Sequence, residues 1–183
     1  MTRKNQKRLV IDANIARSAG TSEVPVSRYS RNALDAILRG EFIAVFSQAL
    51  RAEWKDHSSL HSKLWWASMF ARRRVEVEEG KEFAIHLDRA CSCLEQERWK
   101  AALTKDFHLI QSALASGRTI LSNETNFPQL VAIACGKVRE LSKLYYANPA
   151  AEGDECVLWL KAGAENDARR RIDVWVRNYL EGA

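Results

Sequence analysis

Four carboxylates spread along the chain are the residues whose type and placement could do chemistry. Asp12 closes the apolar run Leu9-Val-Ile-Asp, and Glu53 lies six residues beyond Ser47. Asp106 stands at the head of an apolar-periodic stretch, and Glu124 follows the run ending Leu121-Ser-Asn. Carboxylates brought close together repel one another and hold their protons unless a divalent cation neutralises them. Their hard oxygens suit Mg2+ or Mn2+, and such an ion activates water and offsets charge growing on a leaving oxygen. Taken singly, each acid has a plain structural explanation. An Asp after a strand is a turn residue, an Asp at a helix start complements the dipole, and a Glu within a helix is solvated. The chemistry therefore requires that all four meet in space.

The elements that must bring them together can be read from periodicity. The β-favouring run Arg8 to Ile11, stopped by a carboxylate, predicts a short buried strand. Gly, Ser, Thr and Pro from Ser18 to Ser27 predict a loop, and Ala33, Leu34, Ile37 and Leu38 recur at helical spacing until Gly40. Glu41 to Phe46 reads as a second strand, with Ser47 as N-cap of a helix through Leu50 and Trp54. Helices are predicted over 60–74 and 81–93, followed by a charged stretch around Glu95 to Lys100. Asp106 then opens a helix closed at Gly117, ahead of a strand over Thr119 to Leu121. A helix over 130–138 and a strand over 141–146, ended by Pro149, come next. The tail from Asp154 to Leu180, with Val157, Leu158, Leu160, Ile172, Trp175, Val176 and Tyr179, reads as two more helices. Strands alternating with helices imply an α/β domain with a mostly parallel central sheet. In such a sheet ligands gather beyond the carboxyl ends of the strands, so Asp12 and Glu124 share a crevice if their strands are neighbours.

Composition narrows the class. A chain of 183 residues with 46% hydrophobic residues, three prolines and eight glycines is one domain with a core, neither collagen-like nor disordered. Apolar runs such as Phe42 to Phe46 fall far short of the roughly 20 residues a membrane span requires. The basic start lacks the apolar middle of a secretion signal, and four cysteines suit a reducing compartment, so the expected location is the cytoplasm, with no membrane partner. The net charge of +5 permits a polyanionic partner without demanding one.

Other chemistries fit less well. His57 and His61 are four apart, the spacing of zinc sites, but lack the Glu of the zinc protease motif and a third ligand. Cys91-Ser-Cys93 is tighter than a zinc or redox pair, and Cys135 and Cys156 have no partner at useful spacing. Neither a phosphate-cradling Gly-rich loop nor a Gly-framed Ser nucleophile is present in the sequence.

The ordered set of acidic segments resembles the PIN-domain nucleases. Val10-Ile-Asp-Ala-Asn14 is similar to the family's opening strand motif. Phe46-Ser-Gln-Ala-Leu-Arg-Ala-Glu53 is similar to its second strand and acid-bearing helix, and Asp106-Phe-His-Leu-Ile-Gln-Ser-Ala113 to its third segment. Gly117-Arg-Thr-Ile-Leu-Ser-Asn-Glu-Thr-Asn-Phe127 is similar to the fourth, a strand followed by Ser or Thr, an acid and a Phe. The resemblance runs from about Leu9 to Pro149. It implies a three-layer fold, with a mostly parallel sheet of four to five strands between helices, in a domain over 1–149. Residues 150–183 lie outside the resemblance and are expected to form a helical extension packed on the same domain.

The resemblance also implies an activity, Mg2+- or Mn2+-dependent hydrolysis of RNA phosphodiesters. Asp12, Glu53 and Asp106 would hold the metal, and Glu124 would bind it or a coordinated water. Asn14 and Ser122 would orient these acids, Ser47 would support the Glu53 helix, and Asn123 would be a neutral neighbour offering an amide oxygen, with Asn126 a further one. Glu124 departs from the family's usual Asp, which moves the carboxylate outward by about a bond length. Phosphates would meet basic residues, Arg72, Arg73 and Arg74 first. Arg169 to Arg171, Arg3, Lys4, Lys7, Arg8, Arg28 and Arg31 are alternatives, and Trp65 and Trp66 are candidates for base stacking. The family includes VapC-like toxins, compact single domains many of which are smaller than this chain, which are held by a small antitoxin protein and often form homodimers. The alternative is a PIN-like module without catalysis that binds RNA or protein.

Overall fold

The computed structural model describes residues 6–178. Arg3 and Lys4 at one end, and Tyr179 and Leu180 at the other, lie outside the described residues. The chain runs β1 (Lys7–Ile11), α1 (Ala13–Ser18), α2 (Pro25–Arg39), β2 (Phe42–Phe46), α3 (Gln48–His57), α4 (Leu60–Ala71) and β3 (Val75–Val77). A 3-10 turn at Lys81–Phe83 leads to α5 (His86–Cys91), α6 (Glu97–Ala115), β4 (Thr119–Leu121) and α7 (Asn126–Ala134). A second 3-10 turn at Arg139–Lys143 precedes β5 (Tyr145–Ala147), α8 (Pro149–Glu152) and α9 (Asp154–Lys161). A third, at Ala168–Arg170, precedes α10 (Ile172–Val176).

The five strands form one all-parallel sheet in the order β3-β2-β1-β4-β5. Leu9 pairs with Ala44, Ile11 with Leu121, Phe46 with Val77 and Leu121 with Ala147. Because parallel strands bury both faces, β2 is Phe-Ile-Ala-Val-Phe with every residue buried. The chain steps one way from β1 to β3 and the other way from β4 to β5. With right-handed crossovers, the connecting helices must therefore fall on opposite faces. The packing agrees: α2 lies against α4, α8 and α9, while α6 lies against α5 and α7 and α10 against α7. The result is a three-layer α/β architecture whose strand order reverses between β1 and β4.

Several expected boundaries move. Asp106 does not open a helix; it sits within α6, a helix of 19 residues that begins at Glu97. The charged stretch, to which the sequence assigned no element of its own, supplies the first turn, because Glu, Arg and Lys are good helix formers that can project into water. The helix expected over 60–74 ends at Ala71, where Arg73 takes a positive φ of 56°, and the chain enters an unpredicted strand, β3. The segment 81–93 divides into a 3-10 turn and α5, and 141–146 into a 3-10 turn and the start of β5. Helix α1 follows β1 directly where no helix was expected.

The tail covers the domain on both faces. Val157 and Leu160 on α9, and Ile172 and Trp175 on α10, are buried in the same core as the strands. Arg170 and Glu152 pair while almost fully buried. Trp175 Nε1 donates to Glu152 Oε1 at 2.9 Å, and the Arg170 guanidinium stacks on Trp159 at 4.3 Å. Trp54, Trp65 and Trp175 are core residues, whereas Trp66, Trp99 and Trp159 are only partly buried. Among the described residues no helix is long and apolar enough to cross a membrane.

Candidate metal and nucleic-acid site

Asp12 is placed by two facts of its sequence position. It is the residue after the last paired residue of β1, its backbone N–H donating to the Leu121 carbonyl at 2.9 Å, and it is the N-cap of α1. Its Oδ1 accepts from the Asn14 backbone N–H at 3.1 Å, as a capping Asp does. Its Oδ2 accepts from Asn14 Nδ2 at 2.9 Å and from Ser122 Oγ at 2.7 Å. Asn14 Nδ2 is also 2.9 Å from Ser122 Oγ, and Asn14 Oδ1 accepts from the Asn123 backbone N–H at 3.1 Å. The ends of β1 and β4 are thus tied by three side chains into one rigid corner at the sheet's switch point.

Glu53 reaches the same corner from α3. Ser47 is buried and caps that helix, its Oγ accepting from the Leu50 N–H at 3.0 Å. Trp54 anchors it, donating from Nε1 to the Ile11 carbonyl at 2.8 Å, so Glu53 is fixed relative to the residue just before Asp12. Asp106 comes from α6 in the opposite layer. That helix is held to the loop after β3 by Ser112 Oγ, which donates to the Glu78 carbonyl at 2.6 Å. Glu124 is exposed, and its backbone is the anchored part: its N–H donates to Ser122 Oγ at 3.1 Å and its carbonyl accepts from Tyr146 Oη.

All four acids line one small cavity of about 160 Å³, together with Ala13, Asn14, Arg17, His57 and Lys105. They act on one another electrostatically. Burial pushes Asp12 up to about 6 against the hydrogen bonds from Ser122 and Asn14, and the charges of Asp106 and Glu53 raise it further. Asp106 is raised as well, first by burial; Lys105 and His108 hold it down while Glu53 and Glu124 push it up.

Other expected residues fall elsewhere. Asn123 does not offer its amide to the cavity: Nδ2 donates to Ser30 Oγ at 2.9 Å and Oδ1 accepts from the Ala150 N–H at 3.2 Å. Asn126 is exposed at the start of α7 and does not line the cavity. Arg72, Arg73 and Arg74 do not line it either. Arg74 is buried at the amino end of β3 and binds the carbonyls of Leu38 and Gly40; Arg72 binds the Leu38 carbonyl at 3.0 Å. These two neutralise the end of α2, the ordinary work of cations at a helix C-terminus. Arg170 is buried, Arg169 pairs with Asp167 at 2.8 Å and Arg171 with Asp173 at 3.1 Å. The cavity's own cations are Arg17 and Lys105, which the sequence reading missed. Lys105 adjoins Asp106 in sequence, and Arg17 lies one helical turn from Asn14 on the unforeseen α1. His61 is 3.2 Å from Asp35 and so is not a partner of His57, which faces the acids.

Among the described residues no three His, Cys, Asp or Glu side chains stand as a ready-made cage for an ion. The donor set still suits a hard cation: its four acids offer only oxygen, and Asp12 and Asp106 carry raised proton affinities that a cation would reverse. Oδ1 of Asp12 accepts one hydrogen bond and keeps a further lone pair. No family model, no curated protein and no solved structure matches this chain.

Proposed function

We propose that this protein is a divalent-metal-dependent ribonuclease of the PIN type. The observation that carries the reading is the convergence of Asp12, Glu53, Asp106 and Glu124, from four distant segments, on one cavity at the switch point of a parallel sheet. Asp12, Glu53 and Asp106 would hold Mg2+ or Mn2+, with Glu124 binding the ion or its water. When bound, the ion supplies a water of lowered pKa and offsets charge on the leaving oxygen.

The chain's own residues do the rest. Asn14 and Ser122 fix the Asp12 carboxylate, and because both donate to it they favour its charged form, the form that binds a cation. Arg17 and Lys105 bring positive charge to the rim, where a phosphodiester must approach four acids. No protein nucleophile is needed. The VapC-like role, with a small antitoxin covering the acids and a homodimer as the working form, rests on the resemblance of the motifs alone.

Purified protein with Mn2+ is expected to cut single-stranded or structured RNA, and Asp12→Asn to abolish cutting with an unchanged circular dichroism spectrum. Mn2+ is also expected to raise the melting temperature by mass action. A protein that neither cuts RNA nor gains stability from Mn2+ would instead be the non-catalytic module.

A further inference from the structure

A larger cavity, of about 630 Å³, opens on the other side of α3, with Arg51, Ala52, Trp54, Lys55, Lys63 and Trp66 in its lining. Two features set it apart from an ordinary surface cleft. No carboxylate lines it, while Arg51, Lys55 and Lys63 are exposed and have no ion-pair or hydrogen-bond partner among the described residues. Its wall also holds an aromatic ring that is only partly buried and already fixed. Trp66 packs edge-on to Phe46 at 4.5 Å and against Trp54 at 5.8 Å, and Trp54 is itself tied to the Ile11 carbonyl.

We infer that this cleft between α3 and α4 is a subsite for single-stranded RNA, with one base stacked on Trp66 and its flanking phosphates held by Arg51, Lys55 and Lys63. A fixed indole ring gives a base a stacking partner at little cost in side-chain freedom, and cations around it track the backbone. The charge argues for this occupant over a peptide segment: three unpaired cations and no acid complement a polyanion. Helix α3 alone separates this cleft from the acid cavity, since Ala52 and Lys55 face one and Glu53 and His57 the other. A strand crossing that helix, about 10–12 Å wide, would keep its base in the cleft while a phosphate farther along the strand lies at the acids. The inference rests on the ribonuclease reading for its choice of RNA, but not for the binding itself.

The test uses the full chain in EDTA, where metal-dependent cutting cannot proceed, with a fluorescein-labelled uridine 12-mer. Fluorescence anisotropy is read across a salt series. Trp66→Leu is expected to weaken binding about 5- to 100-fold, and to have no effect on an oligomer whose bases have been removed. Arg51→Gln/Lys55→Gln/Lys63→Gln, at exposed positions, is expected to fold normally and to lower the salt slope by about 2. Binding that is unchanged in both variants, or a Trp66→Leu loss that persists on the abasic oligomer, overturns the subsite. RNA cutting with Mn2+ at unaltered KM in both variants would also overturn it while leaving the ribonuclease reading intact. Binding that depends on Trp66 in a protein that cuts nothing would keep the subsite and remove the ribonuclease.

Discussion

At the scale of single residues, Asp12 carries the most distinctive electrostatics. Its pKa in the folded protein is raised from 3.8 to about 6, so the protonated carboxyl is favoured by folding. The stability this contributes is complete below about pH 3.8 and is lost as pH rises through about 6, which amounts to roughly 3 kcal/mol over that window. In metal-free protein the melting temperature should accordingly fall from pH 4 to pH 7 more steeply for the wild type than for Asp12→Asn. Saturating Mn2+ should flatten the difference, because the cation favours the charged form. Ser122→Ala removes the hydroxyl that serves Asp12, Asn14 and the Glu124 N–H together. It should cost about 1–3 kcal/mol in chemical denaturation and about 10- to 100-fold in cleavage rate. These residues were legible in the sequence because a strand, an acid and its cap are contiguous. Arg17, Lys105 and His57 were not, since their relevance depends on which way a helix face turns.

At the scale of elements, the two helices that deliver Glu53 and Asp106 come from opposite sides of the sheet, and each is pinned by a small residue. Ser47→Ala should cost about 1 kcal/mol by leaving the first turn of α3 without its cap, read as a shift in denaturation midpoint. Gly80 is the corresponding point for α6. It has a φ of 56°, and a Cβ there would lie 2.1 Å from the Gln111 carbonyl oxygen. Gly80→Ala should therefore destabilise by more than about 2 kcal/mol, and a partly folded variant should lose metal-dependent stabilisation because Asp106 is displaced. Sequence periodicity identified β1, β2, β4 and the capped α3 because each has a strong apolar run or a clear stop signal. It missed β3, whose three residues are too few to show alternation, and set the start of α6 too late, because in its charged first turns Trp99 and Leu103 are the inward apolar residues and are too sparse to show a period.

At the scale of the whole molecule, the tail is part of the fold's cohesion. The Glu152 side chain is fully buried, its carboxylate shared between Arg170, the Trp175 indole and the Asn148 N–H. Burial raises its pKa against the pull of Arg170. Arg170→Met should cost about 3–5 kcal/mol by stranding that carboxylate, and Glu152→Gln added to it should recover part of the loss, as measured by thermal denaturation of the two variants. The α/β class and the parallel sheet were readable from the alternation of elements. How the tail meets the sheet was not, because the Glu152 to Arg170 contact is long-range and neither residue stands out locally.

The order of the strands has a consequence for the protein's birth. The central strand is made first, but its neighbour β4, with Ser122 and Glu124, is made more than a hundred residues later. A nascent chain on the ribosome therefore has no assembled acidic centre until β4 and the residues after it have emerged. Until β4 has been made and has docked beside β1, Asp12 lacks the Ser122 hydroxyl that holds its carboxylate.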